Sequence, residues 1–313
     1  MRALVLALAL AAVAAEAHAA ERAAPEPVTS LAPGMVGAWF PPATDKDPLI
    51  LVLGGSEGGL RGAQPVARRL SEHGFGTLAV AYFDAPGLPQ ALKDVPLESV
   101  EAGVDWLRAQ PGMARRPIAV VGASKGGELS LLLASRDTRL CAVVAGVPSS
   151  VVWAGIDMRN PMVPVTTSSW TWQGKPLAFV PYADGPFRGV RDLYERSLVK
   201  AAPEAAIPVE KIKGPVLLIS GKADRLWPST PMADAVMARL DARRFAWPHM
   251  HLPYDDAGHA AFGPPLPPDS PNLKALASLG GTPEGNQAAR KDGWPKVLAF
   301  LDQAFAGKSC RGR

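Results

Sequence analysis

One pentapeptide, Gly122-Ala123-Ser124-Lys125-Gly126, constrains this chain more than any other stretch. It follows a short apolar run at 118–121 and leads into a helix-like stretch, Gly-Glu-Leu-Ser-Leu-Leu-Leu, at 127–133. A backbone that turns from a buried strand straight into a helix through one serine brings the two elements very close. Only small residues then fit two positions before and two after the turn. The serine is held in a tight conformation with its hydroxyl beyond the sheet end, where it can act as a nucleophile. Glycine and serine also build ordinary turns, so the prediction rests on the flanking strand and helix as much as on the pattern.

The rest of the chain supplies a sheet for such a turn. Apolar runs predict strands over 49–53, 77–82, 118–121, 141–145, 216–219 and 251–254, with 35–40 as an edge strand. Amphipathic spacing predicts helices over 65–73, 97–109, 231–240 and 286–305. Strands alternating with helices imply an α/β fold with a mostly parallel central sheet and helices on both faces. Segment 147–214 breaks the alternation and is too long for a simple crossover. It carries Trp153, Trp170, Trp172 and many prolines, and reads as an insertion. It is either a cap over the site or an excursion packed on the side of the domain.

Hydrophobic residues make up 48% and charged residues 20% of the 313 positions, a balance that suits a globular enzyme. The net charge of +4 with no Lys/Arg-rich block gives no electrostatic support for a nucleic-acid partner. The first residues form a secretory pattern: Arg2, an apolar run over 3–15, and small residues at Ala17 and Ala19. Residues 1–19 are therefore expected to be a signal peptide, leaving 20–313 as a single exported domain, periplasmic or secreted. No second stretch is apolar enough over sufficient length to span a bilayer. Cys141 and Cys310 have neither metal-like nor redox-like spacing. In an oxidising compartment they could pair, or remain one buried and one exposed thiol.

A serine hydroxyl needs an adjacent base, and the base needs an acid that fixes its tautomer. Asp224 follows the strand at 216–219, and His259 follows the last predicted strand. Ser124, Asp224 and His259 thus occur in the order nucleophile, acid, base, each just past a strand end. Asp255 and Asp256 compete for the acid role but lie too near His259 in sequence to reach behind its ring easily. His73, His249 and His251 read as structural. The amide of Lys125 and the amide of Ser56, in the glycine-rich loop Gly54-Gly55-Ser56-Glu57-Gly58-Gly59, are the expected oxyanion donors, with Gly55 and Glu57 as neighbouring candidates. That loop itself satisfies G-x-S-x-G, but Gly58, Gly59 and Gly62 delay the helix that an elbow requires. It also lacks the Gly-Lys-Ser/Thr of a phosphate loop.

These segments resemble the C-terminal catalytic domain of the acyl-CoA thioesterase and bile acid-CoA:amino acid N-acyltransferase group, within the α/β-hydrolases. The resemblance is carried by the glycine loop at 54–59, Ala-Tyr-Phe-Asp-Ala-Pro-Gly-Leu-Pro at 81–89, Gly-Ala-Ser-Lys-Gly-Gly-Glu-Leu at 122–129, and Gly258-His259. Leu-Gly-Gly-Thr at 279–282 and Trp294 are also similar. Dienelactone hydrolase-like enzymes are a looser match. The resemblance implies the same triad, and acyl transfer through such a triad needs no metal or organic cofactor. The chain departs from the group in three ways. It has too few residues before the first core strand for the N-terminal β-sandwich of animal members. It has an export-like leader, although CoA thioesters are cytoplasmic. It has serine where the group's acyltransferases use cysteine. The expected activity is therefore hydrolysis of a small carboxylic ester or thioester through an acyl-serine. Acyl-CoA thioesterase or N-acyltransferase is the nearest alternative, and a catalytically silent binding protein of the same fold is the alternative from another class.

Overall fold

The computed structural model describes residues 29, 31–44, 46–160 and 163–311, so the expected signal peptide lies outside the described residues. Seven strands form the main sheet: β1 (Gly37–Phe40), β2 (Leu49–Leu53), β3 (Gly76–Val80), β5 (Ile118–Ala123), β6 (Leu140–Gly146), β9 (Val216–Gly221) and β10 (His249–Tyr254). Their order across the sheet is β1-β3-β2-β5-β6-β9-β10. Only β1 runs antiparallel, paired with β3 at the edge, and every other pairing is parallel.

The inner strands are continuous apolar runs because both of their faces are covered. Alternate side chains divide between two cores. Leu49, Leu51, Leu53, Val120, Val143 and Leu218 pack under helices α2 (Leu97–Ala109), α3 (Lys125–Ala134) and α5 (Ser229–Ala242). Ile50, Val52, Val121, Val144, Leu217 and Ile219 face α1 (Ala63–Glu72) and the long C-terminal α6 (Pro283–Ala306). α6 starts at Thr282, whose hydroxyl accepts from the Gly285 amide at 2.9 Å. α3 is buried at all ten positions, so it shows no solvent-facing polar stripe, and even its Lys125 and Glu128 are enclosed.

The expected α/β-hydrolase architecture is present, with no expected element end moved by more than three residues. The 147–214 segment does two things. Trp170–Trp172 (β7) and Lys175–Pro176 (β8) form a hairpin that joins β4 (Val95–Pro96) in a small second sheet against the core. Its turn, Gln173-Gly174, has φ of 50° and 72°, the pair of left-handed residues that a two-residue hairpin loop requires. The remainder, including α4 (Val190–Leu198), lines a cavity over the sheet edge. No helix among the described residues is long and apolar enough to cross a membrane.

Cys141, on β6, is disulfide-bonded to Cys310, in the turn after α6, across 169 residues of sequence. Of the two states the sequence left open, the paired one is present. A bridge closing so long a loop restricts the unfolded chain strongly. Cys310→Ser is expected to lower unfolding stability by about 2–5 kcal/mol, measured by urea denaturation without reductant. A midpoint unchanged from wild type would show that the bridge contributes nothing.

Candidate active site

Four loops leave the C-terminal ends of parallel strands on one side of the sheet and converge there, the usual place for a site in such folds. β5 leads into Ser124, at φ 57° and ψ −123°. For a non-glycine residue this is strained backbone, costing on the order of 1–3 kcal/mol. Two bonds hold it: the Ser124 amide donates to the Gly146 carbonyl, and its carbonyl accepts from the Glu128 amide, both at 2.9 Å. The flanking glycines are required by contact. A Cβ at Gly122 would lie 2.3 Å from the Gly126 carbonyl oxygen, and one at Gly126 would lie 2.2 Å from the Gly54 carbonyl oxygen.

His259 Nε2 lies 2.9 Å from Ser124 Oγ, and His259 Nδ1 lies 2.9 Å from Asp224 Oδ2. Asp224 is 1% exposed and its carboxylate is fully engaged. Oδ1 accepts from the amides of Leu226 (2.9 Å) and Trp227 (3.2 Å), and Oδ2 also accepts from Ser229 Oγ at 2.7 Å. The Trp227 ring packs edge-on to the imidazole, 5.7 Å between centroids. The competing acids turn elsewhere. Asp255 pairs with Lys222 at 2.5 Å, and Asp256 is exposed, with no bond to His259. His251 is bonded to Ser220 and Asp234 beneath α5, away from Ser124.

The glycine loop after β2 lies beside the elbow. A Cβ at Gly55 would come within 3.2 Å of Ser124 Cβ. The Gly55 amide is bonded to Glu57 Oε1 at 2.8 Å, which withdraws it from the oxyanion-donor candidates. Among the described residues the Ser56 and Lys125 amides make no such bond, and both residues border the cavity at Ser124. Tyr82 fixes the loop from below, its hydroxyl donating to the Gly54 carbonyl at 2.6 Å. Burial, with Glu57 and Glu128 nearby, pushes the Tyr82 phenol far above its ordinary range, so it stays a donor.

Sequence reasoning missed a buried ion pair under the elbow. Lys125 Nζ lies 2.7 Å from Glu128 Oε2, with the two side chains 1% and 0% exposed. The other carboxylate oxygen, Oε1, accepts from Trp170 Nε1 at 2.7 Å and from the Trp153 amide at 3.2 Å. Burial pushes the Lys125 pKa down and the Glu128 pKa up, and each charge opposes the shift of the other. The signal was the i, i+3 spacing of the two charges on one helix. Ser229 was also missed, since a serine five residues after an aspartate carries no pattern of its own.

Two cavities open at Ser124, of about 560 and 520 Å3. They share Ser56, Ser124, Met158, Leu226 and Leu279. The first also borders His259, Phe262 and Arg290. The second is walled by the 147–214 segment, with Tyr182, Phe187, Leu193 and Tyr194, and by Trp227.

Comparison with known proteins places this arrangement in a family. Residues 95–307 match the family model described as BAAT / Acyl-CoA thioester hydrolase C terminal. The chain belongs to that family. Human acyl-coenzyme A thioesterase 6 is 30% identical over 290 residues, covering 90% of this chain and 66% of the relative. The chain spans 58–66% of the length of curated relatives of this kind. Among solved structures, a putative dienelactone hydrolase from Klebsiella pneumoniae superposes with a TM-score of 0.53 at 18% identity, covering 86% of this chain and 93% of that one. MGS-M1, an α/β hydrolase from a deep-sea metagenome library, gives 0.53 at 15% identity, covering 91% and 98%. These two likenesses concern the fold alone, which is that of the α/β-hydrolases.

Proposed function

We propose that this family member is an exported serine hydrolase that cleaves a carboxylic thioester or ester through an acyl-serine. The observation that carries the reading is the unbroken hydrogen-bond chain from Ser124 Oγ through both nitrogens of His259 to Asp224, at a cavity mouth. With Nδ1–H donating to Asp224, Nε2 is the free base that accepts the Ser124 proton as Oγ attacks the acyl carbonyl. The resulting imidazolium is stabilised by the buried carboxylate. The amides of Ser56 and Lys125 are the donors for the developing oxyanion, where each such donor is worth about 10²–10³ in turnover. His259 then returns the proton to the leaving thiol or alcohol. Water, deprotonated by the same nitrogen, releases the acid.

The family name and the human relative point to a thioester. The aromatic cavity built by the 147–214 segment suits the acyl chain, since apolar walls with few polar groups favour such a ligand. Export is supported by the leader pattern at 1–19 and by the Cys141–Cys310 bridge, which belongs to oxidising compartments. The same bridge disfavours a cytoplasmic acyl-CoA thioesterase or N-acyltransferase. A fluorophosphonate probe is expected to label the purified protein on the peptide containing Ser124, and thiol release from a short acyl thioester to be saturable. Absence of both labelling and turnover would leave a silent scaffold.

A further inference from the structure

Arg290, on α6, is a half-buried cation with no acidic partner among the described residues. Its Nε donates to the Ala260 carbonyl at 2.8 Å and its Nη1 to the Pro264 carbonyl at 3.2 Å. Both acceptors lie on the loop that follows His259. At Gly263, where φ is 126°, a Cβ would sit 3.4 Å from the guanidinium, so the loop wraps the group closely. Nη2 makes no hydrogen bond among the described residues. Burial alone moves the group's pKa, down to about 10, and no neighbouring carboxylate opposes the shift. A guanidinium carries five N–H donors in a fixed fork, and sequestering it without a counter-charge is costly.

Arg290 borders the same cavity as Ser124 and His259. Two other charged side chains there are already satisfied. Arg61 pairs with Asp84 at 3.1 Å, and the Glu57 carboxylate holds the Gly55 amide. The second cavity has the opposite character. It borders Asp157 and Asp184, and its lysine, Lys125, is bound to Glu128. An anion on a molecule spanning both cavities would thus be drawn to one end of the site.

We propose that Arg290 binds a carboxylate, or a similar oxyanion, of an anionic substrate whose scissile carbonyl sits at Ser124. The inference rests on the hydrolase reading above and adds a charge requirement to it. Arg290 is a specificity residue in this account, because it fits the planar fork geometry of a carboxylate. The anion can reside on the acyl part or on the leaving group.

Three thioesters separate these cases: S-ethyl butanethioate, which is neutral; the ethanethiol hemithioester of glutaric acid, anionic in the acyl part; and the butanoyl thioester of 3-mercaptopropionate, anionic in the leaving group. Thiol release by the full mature chain gives kcat/KM for each. At least one anionic substrate is expected to exceed the neutral one by about 10- to 100-fold, the range for a hydrogen bond to a charged group. Which one does so locates the anion. Arg290→Gln is expected to collapse that ratio towards one, and Arg290→Lys to keep part of it. A purely structural clamp on the 260–264 loop would lower all three substrates together and leave the ratio intact. The inference is overturned if the wild-type chain prefers the neutral thioester to both anionic ones, a comparison that needs no variant, or if the ratio survives Arg290→Gln. If none of the three is hydrolysed, the inference fails, and if a fluorophosphonate probe also leaves Ser124 unlabelled, the hydrolase reading fails with it.

Discussion

Ser124→Ala is expected to lower kcat/KM for a short acyl thioester by about 10⁴- to 10⁶-fold, the scale on which loss of a serine nucleophile is felt. In the proposed mechanism, removing Oγ deletes the atom that forms the acyl intermediate and leaves His259 with nothing to deprotonate but water. The residual rate would come from the oxyanion donors and binding alone. The fold should tolerate the change, because Oγ makes its bond only to His259, while the strained backbone at this position is held through main-chain groups. Alanine has no more conformational freedom than serine at φ 57°, so the strain is unchanged. Steady-state kinetics with a parallel thermal melt checks the prediction. A folded variant that keeps a tenth of wild-type turnover would remove Ser124 from the mechanism.

Asp224→Asn is the second largest effect, a loss of about 10⁴-fold in kcat if the side chain acts as the acid of a triad. The local hydrogen bonds explain why an isosteric change should matter so much. Two backbone amides, Leu226 and Trp227, demand an acceptor at Oδ1. Asparagine would therefore place its oxygen there and its amide nitrogen where Oδ2 had been. That nitrogen donates towards His259 Nδ1, which must then become the acceptor. The ring proton moves to Nε2, facing Ser124, and the base is lost while the geometry is kept. Ser229 can turn its hydroxyl from donor to acceptor, so nothing in the shell resists the swap. A loss under tenfold, in a protein of unchanged stability, would show that another group orients the ring.

The parts of the fold that could be read in the sequence are those carried by contiguous signal. Runs such as 49–53 and 216–219 are apolar throughout because helices cover both faces, and alternation with helices leaves few topologies open. Ser124, Asp224 and His259, which the structure brings within hydrogen-bond distance, can be picked out because each lies just beyond such a run. The partners that organise them were harder to see. Glu128 meets Trp153 and Trp170 across 25 and 42 residues of sequence, and no local pattern reports that meeting. The ambiguity over the Gly55, Ser56 and Glu57 amides was settled against Gly55 by one contact, the Glu57 carboxylate folding back on its own loop. Segment 147–214 was read as either cap or side excursion, and it has both parts because its hairpin and its cavity wall obey different neighbours. The Gln173-Gly174 turn between Trp172 and Lys175 carried a hairpin signal that proline and tryptophan content obscured.

The ion pair beneath the elbow ties two regions of the chain together. Glu128 is neutralised on one side by the residue next to the nucleophile and on the other by indole and amide groups of the insertion. An exchange of the insertion that moved its backbone at Trp153 and removed the Trp170 indole would strip two donors from a carboxylate sealed below Ser124. The cavity wall and the turn that carries Ser124 are therefore mechanically joined, and a change made in one is felt in the other.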